Sequence, residues 1–187
     1  MPTDTQTVTL YLIRHASPDW ERKDIPYDVP PGPPLTQKGR QEAEALGHFL
    51  RNAGLRKLYH SPLERSAHTA QIAAALAGVP TVEKPELAEW RNGESEGEIQ
   101  ARFGPVLEAC IVESALIGPI GLVTHGGPVA HLLKQLGMEA GRLADNRRRF
   151  DHANPMPPAG AWAARRSQGA KAWELELVFT PGQEQGS

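Results

Sequence analysis

The sequence has little cysteine and no long apolar run. Its one cysteine, Cys110, excludes an internal disulfide and favours a reducing compartment. No apolar stretch approaches the ~20 residues that a helix needs to span a bilayer. The N-terminus also lacks the basic start and apolar run of a signal peptide. We therefore expect a cytoplasmic protein that has no membrane partner.

An excess of charge of one sign is missing as well. The chain has 20 Lys and Arg against 22 Asp and Glu, and its formal net charge is −2. This balance gives no electrostatic reason to expect a nucleic-acid partner. Hydrophobic residues make up 40% of the 187 residues, enough for a sizeable core. No repeat or long linker divides the chain, so we predict a single domain over residues 1–187.

Predicted strands alternate with predicted helices along the chain. Apolar runs rich in β-formers predict strands at 8–13, 55–60, 79–83, 120–124, 161–165 and 172–179. Amphipathic or Ala-rich segments predict helices at 36–53, 61–77, 95–111 and 128–136. The alternation predicts an α/β fold in three layers, with a mostly parallel central sheet flanked by helices.

Several local signals predict where the helices begin and end. Ser61 with Glu64, and Ser95 with Glu98, each have the spacing of a capping box. The Gly104-Pro105 pair is expected to kink or interrupt the third helix. Residues 16–35 are rich in proline and are predicted to form a loop.

Two further stretches carry little pattern. Residues 140–160 show no clear period and receive no assignment from the sequence. Residues 182–187 are expected to fray.

Basic side chains follow the ends of three predicted strands. Arg14 and His15 follow the first strand, Arg65 lies in the first turn after the second, and His125 precedes a Gly-Gly-Pro helix start. Ligands of open α/β sheets bind beyond the carboxyl ends of the strands, where helix N-termini also favour anions. Arginine binds phosphate bidentately, so the sequence predicts a phosphate pocket at this edge.

A histidine beside such a pocket has a specific chemical use. A neutral imidazole can attack phosphorus and form a phosphohistidine, while fixed cations stabilise the transferring phosphoryl group. The leaving oxygen then needs a proton, which a carboxylic acid of raised pKa can donate.

Five segments, in order, resemble the motifs of the histidine phosphatase superfamily, which includes the cofactor-dependent phosphoglycerate mutases. They are Leu12-Ile13-Arg14-His15-Ala16, Leu35-Thr36-Gln37-Lys38-Gly39-Arg40-Gln41-Glu42-Ala43, Ser61-Pro62-Leu63-Glu64-Arg65-Ser66-Ala67-His68-Thr69-Ala70, Leu87-Ala88-Glu89 and Val123-Thr124-His125-Gly126-Gly127. The resemblance implies a phosphoglycerate mutase-like fold and a hydrolase or phosphotransferase that needs no metal and no cofactor.

The resemblance also implies the members of the site. The catalytic residues would be His15, Glu89 and His125, and the substrate-binding residues would be Arg14, Ser61, Arg65 and Gly126. His15 would be the nucleophile. Glu89 would protonate the leaving group and then activate water. Glu94, Glu96 and Asp19 are rival candidates for the acid.

The sequence departs from the family pattern at three points. Ala16 stands where the signature has glycine, which matters only if φ must be positive there. Glu21 stands where many members have an asparagine that binds phosphate. The stretch between Glu89 and the strand at 120–124 is also short, whereas the mutases carry a larger insertion that encloses substrate. The last two departures favour hydrolysis over mutase activity.

Four functions remain open on the sequence alone. The first is a metal-independent phosphatase acting on a small phosphomonoester, with a phosphoprotein as the alternative substrate. The second is a mutase, and the third is a phosphate-binding protein with little turnover. The fourth, a metallohydrolase, needs clustered ligands that the sequence does not show, and Arg14 would repel a cation.

Some other residues have two interpretations. Trp20 and Trp90 either line the site or pack in the core. The run Arg147-Arg148-Arg149 either meets an anionic substrate or forms a solvated basic face.

Overall fold

A computed structural model describes residues 7–182 of the chain. Its strands are β1 (Thr7–Arg14), β2 (Lys57–His60), β3 (Thr81–Glu83), β4 (Ile120–Thr124), β5 (Ala161–Ser167) and β6 (Glu174–Phe179). Its α-helices are α1 (Gln37–Asn52), α2 (Glu64–Ala77), α3 (Glu96–Ile117), α4 (Gly126–Gln135) and α5 (Ala140–Arg149). Short 3-10 turns lie at Pro85–Leu87 and Asp151–Ala153. Of the residues predicted to fray, 183–187 lie outside the described part.

The strands form one sheet in the order β3-β2-β4-β1-β5-β6. The pairings among β1 to β4 are parallel. Strand β5 runs antiparallel to β1, and β6 runs antiparallel to β5. The predicted α/β fold with a mostly parallel sheet is therefore confirmed, with two antiparallel strands at one edge.

Helices cover both faces of the sheet, which explains why β1 is buried at every position after Thr7. Because successive side chains of a strand point to opposite faces, Leu10 and Leu12 enter one core and Tyr11 and Ile13 enter the other. The first core includes residues of α3, α4 and α5. The second includes residues of α1 and α2.

The predicted capping box of Ser61 and Glu64 is wrong. Helix α2 begins at Glu64, with Leu63 at the N-cap position and no side-chain cap. The Ser61 hydroxyl lies 2.9 Å from Nε2 of His125, and it accepts only a long bond from the Leu63 amide at 3.3 Å. Ser61 therefore binds to the neighbouring strand end rather than to its own helix.

Helix α3 contains the largest difference from the sequence prediction. It begins with the predicted capping box of Ser95 and Glu98, but it continues without interruption through Pro105 to Ile117. Phe103 and Val106, on either side of the predicted kink, are buried in the core, and this packing offsets the bond that proline cannot make.

Two helix starts also differ from prediction. Helix α4 begins at Gly126 rather than Pro128, so that Pro128 lies in the first turn, where its missing N–H is harmless. Helix α5 was not predicted at all, and it occupies much of the unassigned 140–160 segment.

Gly39, in the first turn of α1, allows the loop after β1 to approach the helix. A Cβ on Gly39 would lie 2.2 Å from the Ser17 carbonyl oxygen. We expect Gly39→Ala to lower the free energy of unfolding by about 1–3 kcal/mol, the range for overpacking.

Gly141→Ala in α5 is the matched control, because a Cβ there meets no atom of the described chain within 4 Å. It should stabilise the protein by up to about 1 kcal/mol. Urea unfolding of both variants measures the difference, and equal midpoints would contradict the proposed close contact.

Candidate active site

The structure brings the predicted basic residues together at the carboxyl edge of the sheet. Arg14 ends β1, His15 follows it, Arg65 lies in the first turn of α2, and His125 precedes α4. These four residues are at most 2% exposed. Arg65 Nε lies 3.3 Å from His15 Nε2, and the two histidine rings have centroids 5.2 Å apart. The parallel strands thus converge on one small polar pocket.

The hydrogen bonds of His15 define which ring nitrogen is reactive. Its Nδ1 lies 2.8 Å from the Ala16 carbonyl oxygen. A carbonyl only accepts, so Nδ1 carries the proton in this contact and the neutral ring keeps a lone pair on Nε2. Arg65 Nε donates towards that lone pair. Nε2 is therefore the nitrogen placed to attack.

Both histidines remain neutral more readily than an exposed histidine. Burial is the largest cause that lowers the pKa of His15, followed by the charges of Arg65 and Arg14. Burial likewise lowers the pKa of His125, followed by the effect of His15 and then Arg65. A neutral His15 is the form that has a lone pair for nucleophilic attack.

Arg14 is held by Asp151 and Met156, which lie far from it in the sequence. Its Nη1 and Nη2 donate to the two Asp151 carboxylate oxygens at 2.7 and 2.8 Å, and Nη1 also donates to the Met156 carbonyl at 3.1 Å. The Nε of Arg14 is buried and has no partner within residues 7–182. Asp151 thus fixes the guanidinium and leaves one donor unpaired.

Tyr27, in the loop before α1, covers Arg65 and His15. The Arg65 guanidinium lies 3.8 Å from the Tyr27 ring centroid, and Arg65 Nη1 donates to the Tyr27 carbonyl at 2.5 Å. The Tyr27 hydroxyl lies 3.4 Å from His15 Nε2. Trp20 stacks on the outer side of Tyr27, with centroids 4.4 Å apart. The proline-rich loop therefore folds over the pocket.

Glu89 lies at the margin of the same pocket. Its Oε2 is 3.4 Å from His125 Nδ1 and 3.8 Å from Arg65 Nη2, and its side chain is 19% exposed. Burial is the largest cause acting on this carboxyl and raises its pKa, while the bond from the Trp90 amide and the charge of Arg65 act in the opposite direction. A carboxyl of raised pKa beside a nucleophile can donate a proton near neutral pH.

The segment that carries Glu89 is fixed by Arg102 of α3. The Arg102 guanidinium donates to the carbonyl oxygens of Glu86 and Ala88 at 2.5 and 2.9 Å. It also donates to both carboxylate oxygens of Glu94. Thr124 at the end of β4 donates to the Leu87 carbonyl at 2.6 Å. These bonds hold an irregular loop in one position beside the sheet.

The rival carboxylates lie elsewhere. Glu94 is paired with Arg102, whose hydrogen bond is the largest cause that lowers its pKa. Glu96 is exposed and pairs with Lys134 at 3.0 Å. Asp19 accepts from the amide of Glu21, and the Glu21 side chain is exposed. Glu89 is the one of these candidates that contacts His125 and Arg65.

The remaining predicted residues support the pocket. Ser61 contacts His125, as described above, and Gly126 is the first residue of α4, where a Cβ would overlap the side-chain amide of Asn154. Ala16 is buried and is not among the described residues with positive φ, so alanine fits there without strain. Its amide donates to Thr69 Oγ1 at 3.0 Å.

The sequence did not point to Tyr27, Asp151 or Arg102. Tyr27 and Asp151 lie in segments whose sequence shows no helical or strand periodicity. Arg102 lies on helix α3, whose apolar pattern indicates only how the helix packs. Only tertiary contact reveals them, because the Arg14–Asp151 pair joins residues 137 positions apart. For Tyr27, the one available signal was an aromatic residue within a proline-rich loop, which can indicate that the loop is ordered.

Within residues 7–182, no group of three or more His, Cys, Asp and Glu side chains is arranged to hold a metal ion. Over the same residues, every helix is too short or too polar to cross a bilayer.

Comparison with protein families assigns the chain to a class. The model of the histidine phosphatase superfamily (branch 1) matches residues 10–109, more than half of the chain. The protein therefore belongs to the histidine phosphatase superfamily, as its motifs predicted.

One relative has a defined activity in its name. The chain is 34% identical over 105 residues to the 2,3-bisphosphoglycerate-dependent phosphoglycerate mutase of Bartonella henselae. The match spans 51% of the chain and 50% of that mutase. The chain thus covers about half the length of this relative.

Solved structures with the same fold include both mutases and phosphatases. A phosphoglycerate mutase from Bacillus anthracis has a TM-score of 0.72 at 16% identity, over 95% of each chain. A mycobacterial glucosyl-3-phosphoglycerate phosphatase has a TM-score of 0.68 at 19% identity, over 92% of this chain and 98% of its own. At these identities the likeness shows the fold, and it supports the predicted phosphoglycerate mutase-like architecture.

Proposed function

We propose that the protein is a metal-independent phosphatase that hydrolyses a phosphomonoester through a phosphohistidine on His15. The observation that carries this proposal is a set of three buried nitrogen atoms around the His15 ring. Arg14 Nε, Arg65 Nη2 and His125 Nδ1 form no hydrogen bond within residues 7–182. Glu89 Oε2 lies near the last two, at 3.8 Å from Arg65 Nη2 and 3.4 Å from His125 Nδ1, without bonding to either. Buried polar atoms are rarely left unpaired, so the set fits an anion with several acceptor oxygens.

The first half of the reaction transfers the phosphoryl group to the protein. His15 Nε2 attacks phosphorus, an N–P bond forms, and the ester P–O bond breaks. Glu89 donates its proton to the departing oxygen. Arg14 and Arg65 stabilise the negative charge on the equatorial oxygens.

The second half returns the protein to its starting state. A water molecule attacks phosphorus, the Glu89 carboxylate takes one proton from that water, and the N–P bond breaks. Inorganic phosphate leaves, His15 regains its lone pair, and Glu89 is again protonated. Every proton and bond is accounted for, and no further reactant is required.

We assign this activity to the cytoplasm, because the sole cysteine is free and buried and no disulfide is needed. A small phosphorylated compound is the proposed partner, with a phosphoprotein as the alternative. The curated relative is named a mutase, so phosphotransfer between two positions of one substrate is the second candidate function.

Phosphate release in the presence of EDTA tests the proposal. The protein is incubated with phenyl phosphate and, separately, with a monophosphoglycerate and a catalytic amount of bisphosphoglycerate. We expect inorganic phosphate from the aryl ester and little isomerised product from the second mixture. Isomerisation much faster than phosphate release would identify a mutase. Phosphate binding with neither reaction would identify a binding protein, and activity lost in EDTA would identify a metallohydrolase.

A further inference from the structure

A groove of about 320 Å³ lies beside the phosphate pocket, between α4, α5 and the indole of Trp90. We call it the α4–α5 groove. Its lining includes apolar side chains of all three segments, among them Trp90, Ala130, Met138 and Leu143. The volume is that of a small-molecule site, and the mostly apolar lining is typical of one.

The groove lies next to Glu89, the proton donor of the proposed reaction. Gly127 lines the groove, and a Cβ on Gly127 would lie 3.7 Å from Glu89 Oε1 and 3.9 Å from the Trp90 ring. The Trp90 amide also donates to Glu89 Oε1 at 2.9 Å. Because Glu89 protonates the leaving oxygen in the proposed reaction, the group attached to that oxygen lies on this side of the pocket.

The two helices that form the groove both lead to the phosphate pocket. Helix α4 begins at the phosphate pocket and runs away from it, and α5 runs back towards the pocket. A few residues after α5, Asp151 binds Arg14 of the phosphate pocket. Both walls of the groove are therefore anchored at the phosphate pocket.

One cation on the groove has no ion-pair partner among residues 7–182. Lys134 is paired with Glu96 at 3.0 Å, and His131 contacts Gln135 and the edge of Trp90. Burial is the largest cause that lowers the pKa of His131, so this ring favours its neutral form. Arg147 lines the groove and forms no ion pair with any carboxylate of the described residues. The groove thus combines an apolar wall with one free positive charge.

We propose that the α4–α5 groove binds the leaving group of the substrate, and that this group is flat, apolar and carries a carboxylate at its far end. The inference rests on the proposed phosphatase function and names its substrate class. The flat apolar part lies against Trp90, and the carboxylate meets Arg147. The basic run in the sequence therefore contributes one residue to specificity, and its neighbours remain solvated.

Three aryl phosphates of similar leaving-group chemistry test the groove. Phenyl phosphate fills the space beside Trp90, 2-naphthyl phosphate extends further, and 6-carboxy-2-naphthyl phosphate adds the anion. We expect kcat/KM to rise about tenfold from phenyl to naphthyl, as the second ring is buried. The carboxylate should add about threefold to fivefold, as suits a charge pair at an exposed arginine.

Two variants assign these gains to the groove. Ala144→Trp places an indole in the groove, because Ala144 is part of its lining. It should abolish the naphthyl advantage, because the indole takes the space that the second ring would occupy. Arg147→Ala should remove only the gain from the carboxylate. Arg148→Ala is the matched control, since Arg148 is exposed, is paired with Asp145 and does not line the groove.

The outcomes separate this inference from the proposed function. If wild type hydrolyses phenyl phosphate but Ala144→Trp keeps the full naphthyl advantage, the groove assignment is wrong and the phosphatase proposal stands. If circular dichroism shows that Ala144→Trp is unfolded, Trp90→Ala takes its place, and an unchanged naphthyl advantage there overturns the assignment.

If no monoester is hydrolysed, the phosphatase proposal fails. The groove is then tested by calorimetric binding of phenyl and 2-naphthyl phosphate to wild type and Ala144→Trp. Equal affinities for the two ligands in wild type would overturn it.

Discussion

The His15→Ala variant is expected to lose aryl phosphate turnover by roughly four orders of magnitude or more, the scale of removing a covalent nucleophile. The reason is geometric. Nε2 of His15 carries the lone pair of the neutral ring and faces Arg65 in a pocket of unpaired donors. The fold should persist, because the main-chain bonds of residue 15 to Thr124 and Ala159 do not depend on its side chain.

Two measurements check this first prediction. Steady-state release of phosphate gives the loss of rate, with His48→Ala as the control, since His48 is an exposed residue of α1. Brief reaction with ³²P-labelled phenyl phosphate, followed by alkaline denaturation, should leave label on wild type and none on His15→Ala. Label retained on the variant would show that another residue is the nucleophile.

The second prediction concerns Glu89→Gln, which keeps the shape of the side chain but cannot supply a proton. Hydrolysis of an alkyl phosphate, whose leaving group has a high pKa, should fall by about 10²–10⁴-fold. Hydrolysis of 4-nitrophenyl phosphate should fall much less in the first step, because that leaving group departs without a proton. Glu108→Gln, an exposed change on α3, is the control. An equal loss of the first step with both substrates, measured as release of the alcohol or phenol in a single turnover, would contradict the assignment of the acid.

The pH dependence of alkyl phosphate hydrolysis tests the role of Glu89 in a second way. Since burial raises the pKa of Glu89, its acid form persists to higher pH, and activity on alkyl phosphates should fall as pH rises through that value. Since burial lowers the pKa of His15, the acid limb should lie below the usual range of histidine. Glu89→Gln should lose the alkaline limb and keep the acid limb.

The parts of this site that the sequence predicts well are those held by local chemistry. The buried run before Arg14 specifies a strand, and His15 must then lie at its carboxyl end because parallel strands meet at one edge. Thr36 caps α1 as predicted, accepting from the Gly39 amide at 2.9 Å. Strand ends and helix starts therefore place His15, Arg65 and His125 before any tertiary contact is known.

The missing parts depend on contacts between distant segments. Asp151 follows a polar helix whose residues show no apolar stripe strong enough to predict its position. Pro105 would end a helix in isolation, yet the packing of its neighbours overrides that local preference. Ser61 carries a correct cap pattern, but His125 competes for the same hydroxyl. In each case a long-range partner decides between two local conformations.

Tyr27 has a consequence for how the protein distinguishes substrate from product. Its hydroxyl lies 3.4 Å from His15 Nε2, the nitrogen proposed to attack phosphorus, so any phosphate that reaches this nitrogen must replace that contact. This competition weakens the affinity for every phosphate by the same factor. A substrate recovers the loss through its leaving group, whereas free inorganic phosphate has no second group to bind. Product inhibition should therefore be weak, and the site should empty quickly after each turnover.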